Sequence, residues 1–185
     1  MVRHTYIISA DGSTAVEVDS RVGALHFIDT AHKETHEGEH YTVSHRWATL
    51  ADDGMAYLRL VPHSTKDMHL IFEVKGESKC YIDLLEGTTY SGDGTVVTPY
   101  NNDRGSSNTA VGKCYHTPTV DAAGTVIYSS LLGAAGQQGE GGEGGSRVEW
   151  ILKAGTDYLI RVQNKHGTAA KDFSIEGHFY EHDPE

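Results

Sequence analysis

The amino-acid sequence predicts an all-β fold, an antiparallel β-sandwich of the jelly-roll type, in a single domain. Short apolar or alternating runs, bounded by Gly, Asp, Asn or Pro, recur at intervals of about 8 to 15 residues, which is typical of sandwiches. No segment carries a helical apolar stripe over three turns. The 21 glycines and ten tyrosines suit many short strands joined by glycine turns.

The predicted strands follow one another along the whole chain. In order they are RHTYIIS, STAVEV, HYTVSHRWATL, MAYLRLV, DMHLIFEV, KCYIDLLE, GTVVTPY, GTVIYSSLL, RVEWILK, DYLIRVQN and FSIEGHFYE. Between them lie the turn signals DDG at 52–54, SGDG at 91–94, AAG at 122–124 and KAGTD at 153–157. These residues tolerate positive φ, so they predict hairpin joints.

Two segments differ from the rest of the predicted sandwich. Residues 1–30 have little apolar mass, so we expect a loose N-terminal arm or edge ribbon, followed by the β-sandwich domain at 31–185. The segment GAAGQQGEGGEGGS at 133–146 is half glycine and cannot bury enough surface to offset its ordering entropy. We expect a flexible loop inside the domain; a linker between two domains is the alternative.

The chain is acidic, with a formal net charge of -11 from 15 basic and 26 acidic side chains. No cluster of Lys and Arg interrupts this background, which disfavours nucleic acid and anionic membranes as partners. We expect no signal peptide and no membrane span, because apolar residues never run together for about 18 positions. The twelve histidines make the surface charge sensitive to pH between roughly pH 7 and 5.

The two cysteines, Cys80 and Cys114, both lie in predicted strands. A disulfide between them is geometrically possible. Synthesis in the cytosol favours two reduced, buried thiols instead.

The stretch HEGEH at 36–40 has the letters of a zinc peptidase motif, and His32 precedes it at the same four-residue spacing. That motif needs a helix through both histidines, but Gly38 lies at its centre and the strand-like YTVSHRW follows at once. A histidine-rich surface loop is therefore the favoured interpretation. A metal site formed by His32, His36 and His40 is the alternative, and His45 is expected to be packed or hydrogen-bonded.

No other motif for catalysis is present in the sequence. It contains no G-x-S-x-G elbow, no P-loop and no G-x-G-x-x-G that opens a helix, so we expect no enzyme and no cofactor. A glycosidase uses two carboxylates at a fixed distance in the fold, so their spacing in sequence neither identifies nor excludes such a pair. Asp83 and Glu86 lie on one predicted strand, and we expect both side chains to be solvated at its edges.

The segment TPYNNDRGSSNT at 98–109 is a candidate partner contact through Asn101, Asn102, Asp103 and Arg104. Such groups commonly satisfy the backbone of their own loop, and a structural loop is the favoured interpretation. An arginine flanked by Asp and Asn on an exposed loop also suits contact with a partner protein.

Between residues 36 and 181 a series of motifs follows in fixed order: HEGEHYTVSH, MAYLRLVP, KDMHLIFEVKGE, LLEGTTYSGDGTVVTPYNNDR, the glycine-rich loop, VEWILKAGTDYLIRVQN and HFYE. This order resembles a family of small tailed-bacteriophage proteins, encoded among the virion structural genes and taken to be head decoration, or cement, proteins. The most specific elements are LLEGTT followed by TPYNNDR, and ILKAGTDYLIRVQN followed by FYE.

The resemblance implies a non-enzymatic β-sandwich, without catalytic or metal residues, that binds the major capsid protein on the outer surface of the expanded shell. It implies a homo-oligomer at a symmetry axis, for which we favour a trimer, made in the host cytoplasm and located on the virion. The arm at 1–30 and the glycine-rich loop, with Gln137, Gln138 and Glu140, are then candidate capsid contacts.

Two other classes of function stay open at this point. One is a carbohydrate-binding or adhesive β-sandwich of the virion, in which exposed Tyr90, Tyr100 and Tyr115 would stack on sugars. The other is a metallohydrolase that uses the histidines between 26 and 45.

Overall fold

The computed structural model describes residues 6–8, 15–19, 24–25, 30–133 and 142–182. The predicted all-β class is confirmed, because antiparallel strands make up most of the described chain. Contacts within the backbone divide the chain into two compact units, Met1–Lys33 and Glu34–Glu185. Among the described residues, no helix is long and apolar enough to cross a membrane.

The first unit contains three short strands, β1 (Tyr6–Ile8), β2 (Ala15–Asp19) and β3 (Ala24–Leu25). They form a small antiparallel sheet in the order β1-β2-β3. This sheet lies in the segment for which the sequence predicts an arm or edge ribbon.

The second unit is the sandwich. After the helix α1 (Thr30–Glu37), which begins in the first unit, its strands are β4 (His40–Leu50), β5 (Met55–Val61), β6 (Asp67–Gly76), β7 (Cys80–Glu86), β8 (Thr89–Gly92), β9 (Thr95–Val97), β10 (Tyr100–Asn101), β11 (Lys113–His116), β12 (Thr119–Ala122), β13 (Thr125–Leu132), β14 (Gly142–Leu152), β15 (Tyr158–Asn164) and β16 (Lys171–His182). A five-stranded sheet has the order β10-β4-β16-β6-β14, and a six-stranded sheet has the order β13-β7-β15-β5-β11-β9. The strands β12 and β8 form a separate ribbon.

Strict alternation of side chains builds the core between the two large sheets. In β6, Met68, Leu70, Phe72 and Val74 are fully buried, while the residues between them are at least partly exposed. The same period of two appears in β5 and β16. Buried residues of both sheets join in one apolar cluster, as a sandwich requires.

The segment predicted as a histidine-rich surface loop is instead largely the helix α1, so that prediction is wrong. The helix ends at a glycine in the left-handed conformation, Gly38, with φ of 73°. The amide of Gly38 donates to the carbonyl of Thr35, and the amide of Glu39 donates to that of Glu34. A polar helix of two turns carries no apolar stripe, which is why periodicity does not reveal it.

The prediction of a flexible loop over 133–146 is wrong for its last five residues, because β14 begins at Gly142 and residues 142–146 all pair with β6. Glycine suits this stretch, since a Cβ on Gly145 would lie 2.3 Å from the carbonyl oxygen of Phe72. The linker alternative is also wrong, because β13 and β14 belong to the same unit. Residues 134–141, with Gln137, Gln138 and Glu140, lie outside the described residues.

Candidate functional site

Four histidines surround one tyrosine on the outer face of the five-stranded sheet. The ring of Tyr180 stacks on His69 with 4.6 Å between centroids, and it meets His182 edge-on at 5.0 Å. His40 lies 6.3 Å from the Tyr180 ring and 6.2 Å from the ring of His178. We call His40, His69, His178, Tyr180 and His182 the histidine face.

The strand register assembles the histidine face from three strands. Tyr180 of β16 pairs with His40 of β4 on one side and with His69 of β6 on the other. His69 in turn pairs with Ile151 of β14, so a row of large side chains crosses four strands. The alternate residues of these strands, such as Phe179, point into the core.

Carboxylates lie beside three of these imidazoles. The closest atom pairs are Oε1 of Glu149 and Nδ1 of His69 at 3.6 Å, Oε1 of Glu176 and Nε2 of His178 at 3.2 Å, and Oε1 of Glu34 and Nε2 of His182 at 3.7 Å. Tyr180 also donates a hydrogen bond to Glu149. Acidic groups therefore lie among the imidazoles of the histidine face.

The three histidines considered as metal ligands, His32, His36 and His40, do not lie on one helix. His32 and His36 lie on α1, whereas His40 comes after the helix end and opens β4. Nδ1 of His40 is hydrogen-bonded to Oγ1 of Thr35 at 2.9 Å. Across the described ranges, no group of three or more His, Cys, Asp or Glu side chains is arranged to hold a metal ion.

Aliphatic side chains extend the histidine face towards β14. Ile71 is exposed two residues after His69 on the same face of β6. Ile151, opposite His69, is 61% exposed. Exposed aliphatic side chains therefore adjoin a cluster of imidazoles and carboxylates on this face.

A second feature is a groove at the side of the sandwich, between β4 and β9. It has a volume of about 310 Å³ and is lined by Thr42, Ser44, His45, Val96, Val97, Thr98, Tyr100 and His116. We call it the side groove. It joins the edges of the two sheets, at the point where the chain crosses from β9 to β10.

Two stacked imidazoles form part of the side groove. The rings of His45 and His116 lie 3.7 Å apart and nearly parallel, and Trp47 meets His45 edge-on at 4.6 Å. Burial, and second the charge of His116, lower the pKa of His45. The expectation that His45 is packed is confirmed.

The residues proposed as partner contacts in the loop after β9 mostly hold that loop together. Asn101 is buried, and its Nδ2 donates to the carbonyl of Gly38 at 2.7 Å. Its Oδ1 accepts from the amide of Asp103, and Oδ1 of Asn102 accepts from Oγ1 of Thr42. Arg104 is exposed, with its guanidinium 5.5 Å from the centroid of the Tyr100 ring.

Two of the three tyrosines expected to be exposed for sugar stacking are not available, and that expectation is wrong for them. The guanidinium of Arg59 lies over the ring of Tyr90 at 4.2 Å and over that of Tyr115 at 5.2 Å. Asp93 and Asp157 bind the same guanidinium, each at 2.6 Å. Burial raises the pKa of Tyr90 to about 12.

The expectation that Asp83 and Glu86 are solvated strand edges is wrong for Asp83. Asp83 is buried in β7, between β13 and β15, and accepts two hydrogen bonds from Arg161 at 3.0 and 2.8 Å. Glu86 accepts from Lys153 and from Tyr158, and these bonds lower its pKa. Each carboxylate is therefore held by its own partners.

The two cysteines are reduced, buried thiols in β7 and β11. Burial raises the pKa of Cys80 to about 12 and raises that of Cys114 as well. These thiols serve as small apolar groups of the core.

Sequence reasoning missed His69, His178 and His182 as members of one site. They occur in the runs DMHL and GHFYEH, where alternation marks them as outward-facing residues. That signal was available, but only the pairing of β16 between β4 and β6 brings them together.

No family model matches the chain, and no curated protein matches it. Neither comparison assigns it a family or a function.

Proposed function

We propose that the protein is a non-enzymatic virion structural protein that binds the outer surface of a tailed-phage capsid and stabilises the expanded shell. The order of its sequence motifs, which resembles the decoration protein family, supports this role. The observation that carries the proposal in the fold is the histidine face, where imidazoles packed around the buried Tyr180 adjoin the exposed Ile71 and Ile151. The partner is the major capsid protein, and the active form is a homo-oligomer, a trimer.

The physical requirement on a cement protein is additional contact area that exists only in the expanded shell. Binding to that state alone shifts the equilibrium towards it by mass action. Linked subunits on a repeating lattice make a modest affinity at each site sufficient. The exposed Ile71 and Ile151 provide such area, next to Tyr180, which is itself buried.

The test is co-sedimentation of the purified protein with expanded and unexpanded capsid shells of the encoding phage. The matched variants are Ile151→Asp, on the margin of the histidine face, and Val126→Asp, an exposed position of β13 in the other sheet. Saturable binding of the wild type and Val126→Asp to expanded shells, with loss for Ile151→Asp, supports both role and face. Equal binding of the two variants would exclude the histidine face as the binding surface. Absence of binding by the wild type and both variants would exclude the capsid-binding role.

A carbohydrate-binding or adhesive module of the virion is the second candidate. The observation in its favour is Tyr100, which is 62% exposed beside the side groove. A glycan-array screen tests it, because a sugar that stacks on Tyr100 should lose binding in Tyr100→Ala. Absence of saturable binding to any glycan would remove this candidate.

A further inference from the structure

Among the described residues, no strand pairs with the β10 side of β4 from Val43 to Ala48. Within the described part of the chain, β10 pairs with β4 only at Tyr41 and Thr42. On its other side, β16 pairs with β4 from His40 to Leu50. An unpaired strand edge is a template for another extended chain.

The side groove begins where β10 ends. Its volume of about 310 Å³ is near the lower limit of sites for small ligands, roughly 300–1,000 Å³. This space suits a single large side chain better than a complete small molecule. The stacked rings of His45 and His116 provide an aromatic surface within it.

The chemistry of the side groove favours an apolar or aromatic group. None of the eight lining residues has a carboxylate or amide side chain, although the whole chain has 26 acidic residues. The hydroxyl of Thr42 is already hydrogen-bonded to Asn102 and to His178. The lining also carries the hydroxyls of Ser44, Thr98 and Tyr100, and the stacked imidazoles give an aliphatic or aromatic side chain a surface to pack against.

The rim of the side groove adds exposed apolar surface and positive charge. Val96 is 64% exposed and Tyr100 is 62% exposed. The guanidinium of Arg104 lies beside Tyr100, and Arg46 is exposed further along β4. Arg104 at the rim and Arg46 along the strand favour a partner with acidic residues near its anchor side chain.

We propose that the side groove is a docking site for an extended, acidic segment of a partner protein. The segment adds as a strand to the β10 side of β4 and places one aliphatic or aromatic side chain against His45 and His116. Backbone hydrogen bonds along β4 supply affinity, and the groove selects the anchor residue. This inference does not depend on the capsid role, because it concerns any partner with such a segment.

A blocked peptide of sequence EETFTEE is the probe, and EETDTEE is its control. We expect the first peptide to shift the backbone amide resonances of β4 and β9 saturably in the full-length protein, with an affinity in the roughly millimolar range or tighter. We also expect slower hydrogen exchange for those amides within 43–48 that face away from β16. The control peptide should bind at least about tenfold more weakly.

Two protein variants test whether the peptide binds in the side groove. Val96→Asp places a carboxylate on the rim, and Val126→Asp places one at an exposed position of β13. We expect Val96→Asp to weaken binding about tenfold or more and Val126→Asp to leave it unchanged. The proposal is overturned if EETFTEE gives no saturable shifts, if the shifts lie away from β4 and β9, or if both peptides bind equally.

Discussion

Asn101 is expected to be a structural residue and not a partner contact, and Asn101→Ala tests this distinction. Its Nδ2 donates to the carbonyls of Gly38 at 2.7 Å and of Asn108 at 3.2 Å. Its Oδ1 accepts from the amide of Asp103 at 2.9 Å. These three bonds join the end of α1 to both sides of the loop that follows β10, and alanine removes all of them.

Each lost bond costs about 1 kcal/mol net, and a buried group left without a partner costs more. The carbonyl of Gly38 keeps a second donor, the hydroxyl of Tyr41 at 3.3 Å, which limits that penalty. The expected loss in the free energy of unfolding is therefore about 2–3 kcal/mol. For a domain of this size, that loss lowers Tm by roughly 5–10 °C.

The assay is urea unfolding followed by tryptophan fluorescence, with the exposed Arg104→Ala as the matched control. Arg104 makes one bond of 3.3 Å to the carbonyl of Asn101, so its removal should change stability by less than about 0.5 kcal/mol. Unfolding of both variants at the same urea concentration would refute the structural role of Asn101.

Three further predictions follow from other parts of the fold. The fold lowers the pKa of His45, so the stability that this histidine contributes is complete above its ordinary pKa of 6.5 and is lost as the pH falls below 6.5. In urea unfolding, His45→Phe should therefore lose less stability than the wild type between about pH 7.5 and about pH 5.5. Equal losses in the two proteins would contradict this prediction. Cys80 and Cys114 should react with a thiol reagent only at the rate of unfolding, and fast labelling of the native protein would show that they are accessible. Gly145→Ala should cost about 1–3 kcal/mol in a denaturant titration, because the new Cβ meets the carbonyl of Phe72; a wild-type midpoint would disprove the close approach.

The sequence was sufficient for the strands whose side chains alternate strictly. In β6 the run DMHLIFEV has its apolar residues at every second position, and the structure buries those same residues. The sequence was insufficient where glycine can indicate either a flexible loop or a close approach between two strands. The composition of residues 142–145 predicts a loop, whereas β14 uses glycine there for close approach to β6. Composition cannot distinguish these uses, because the difference depends on the neighbouring strand.

The candidate site was predictable only in part. The spacing of His36 and His40 drew attention to a local metal pattern, but Gly38 ends the helix between them. The partners of His40 are His178 and Tyr180, more than 130 residues further along the chain. Residues so far apart meet only through the order of strands in the sheet. The spacing of residues within one segment does not predict which strands pair.

The heat resistance of expanded capsid shells, with and without saturating protein, tests the central proposal most directly. The account predicts that the temperature at which shells lose their integrity rises with bound protein, saturates with occupancy, and returns to the undecorated value with Ile151→Asp. Shells that bind the wild-type protein to saturation yet fail at the undecorated temperature would contradict the stabilising role.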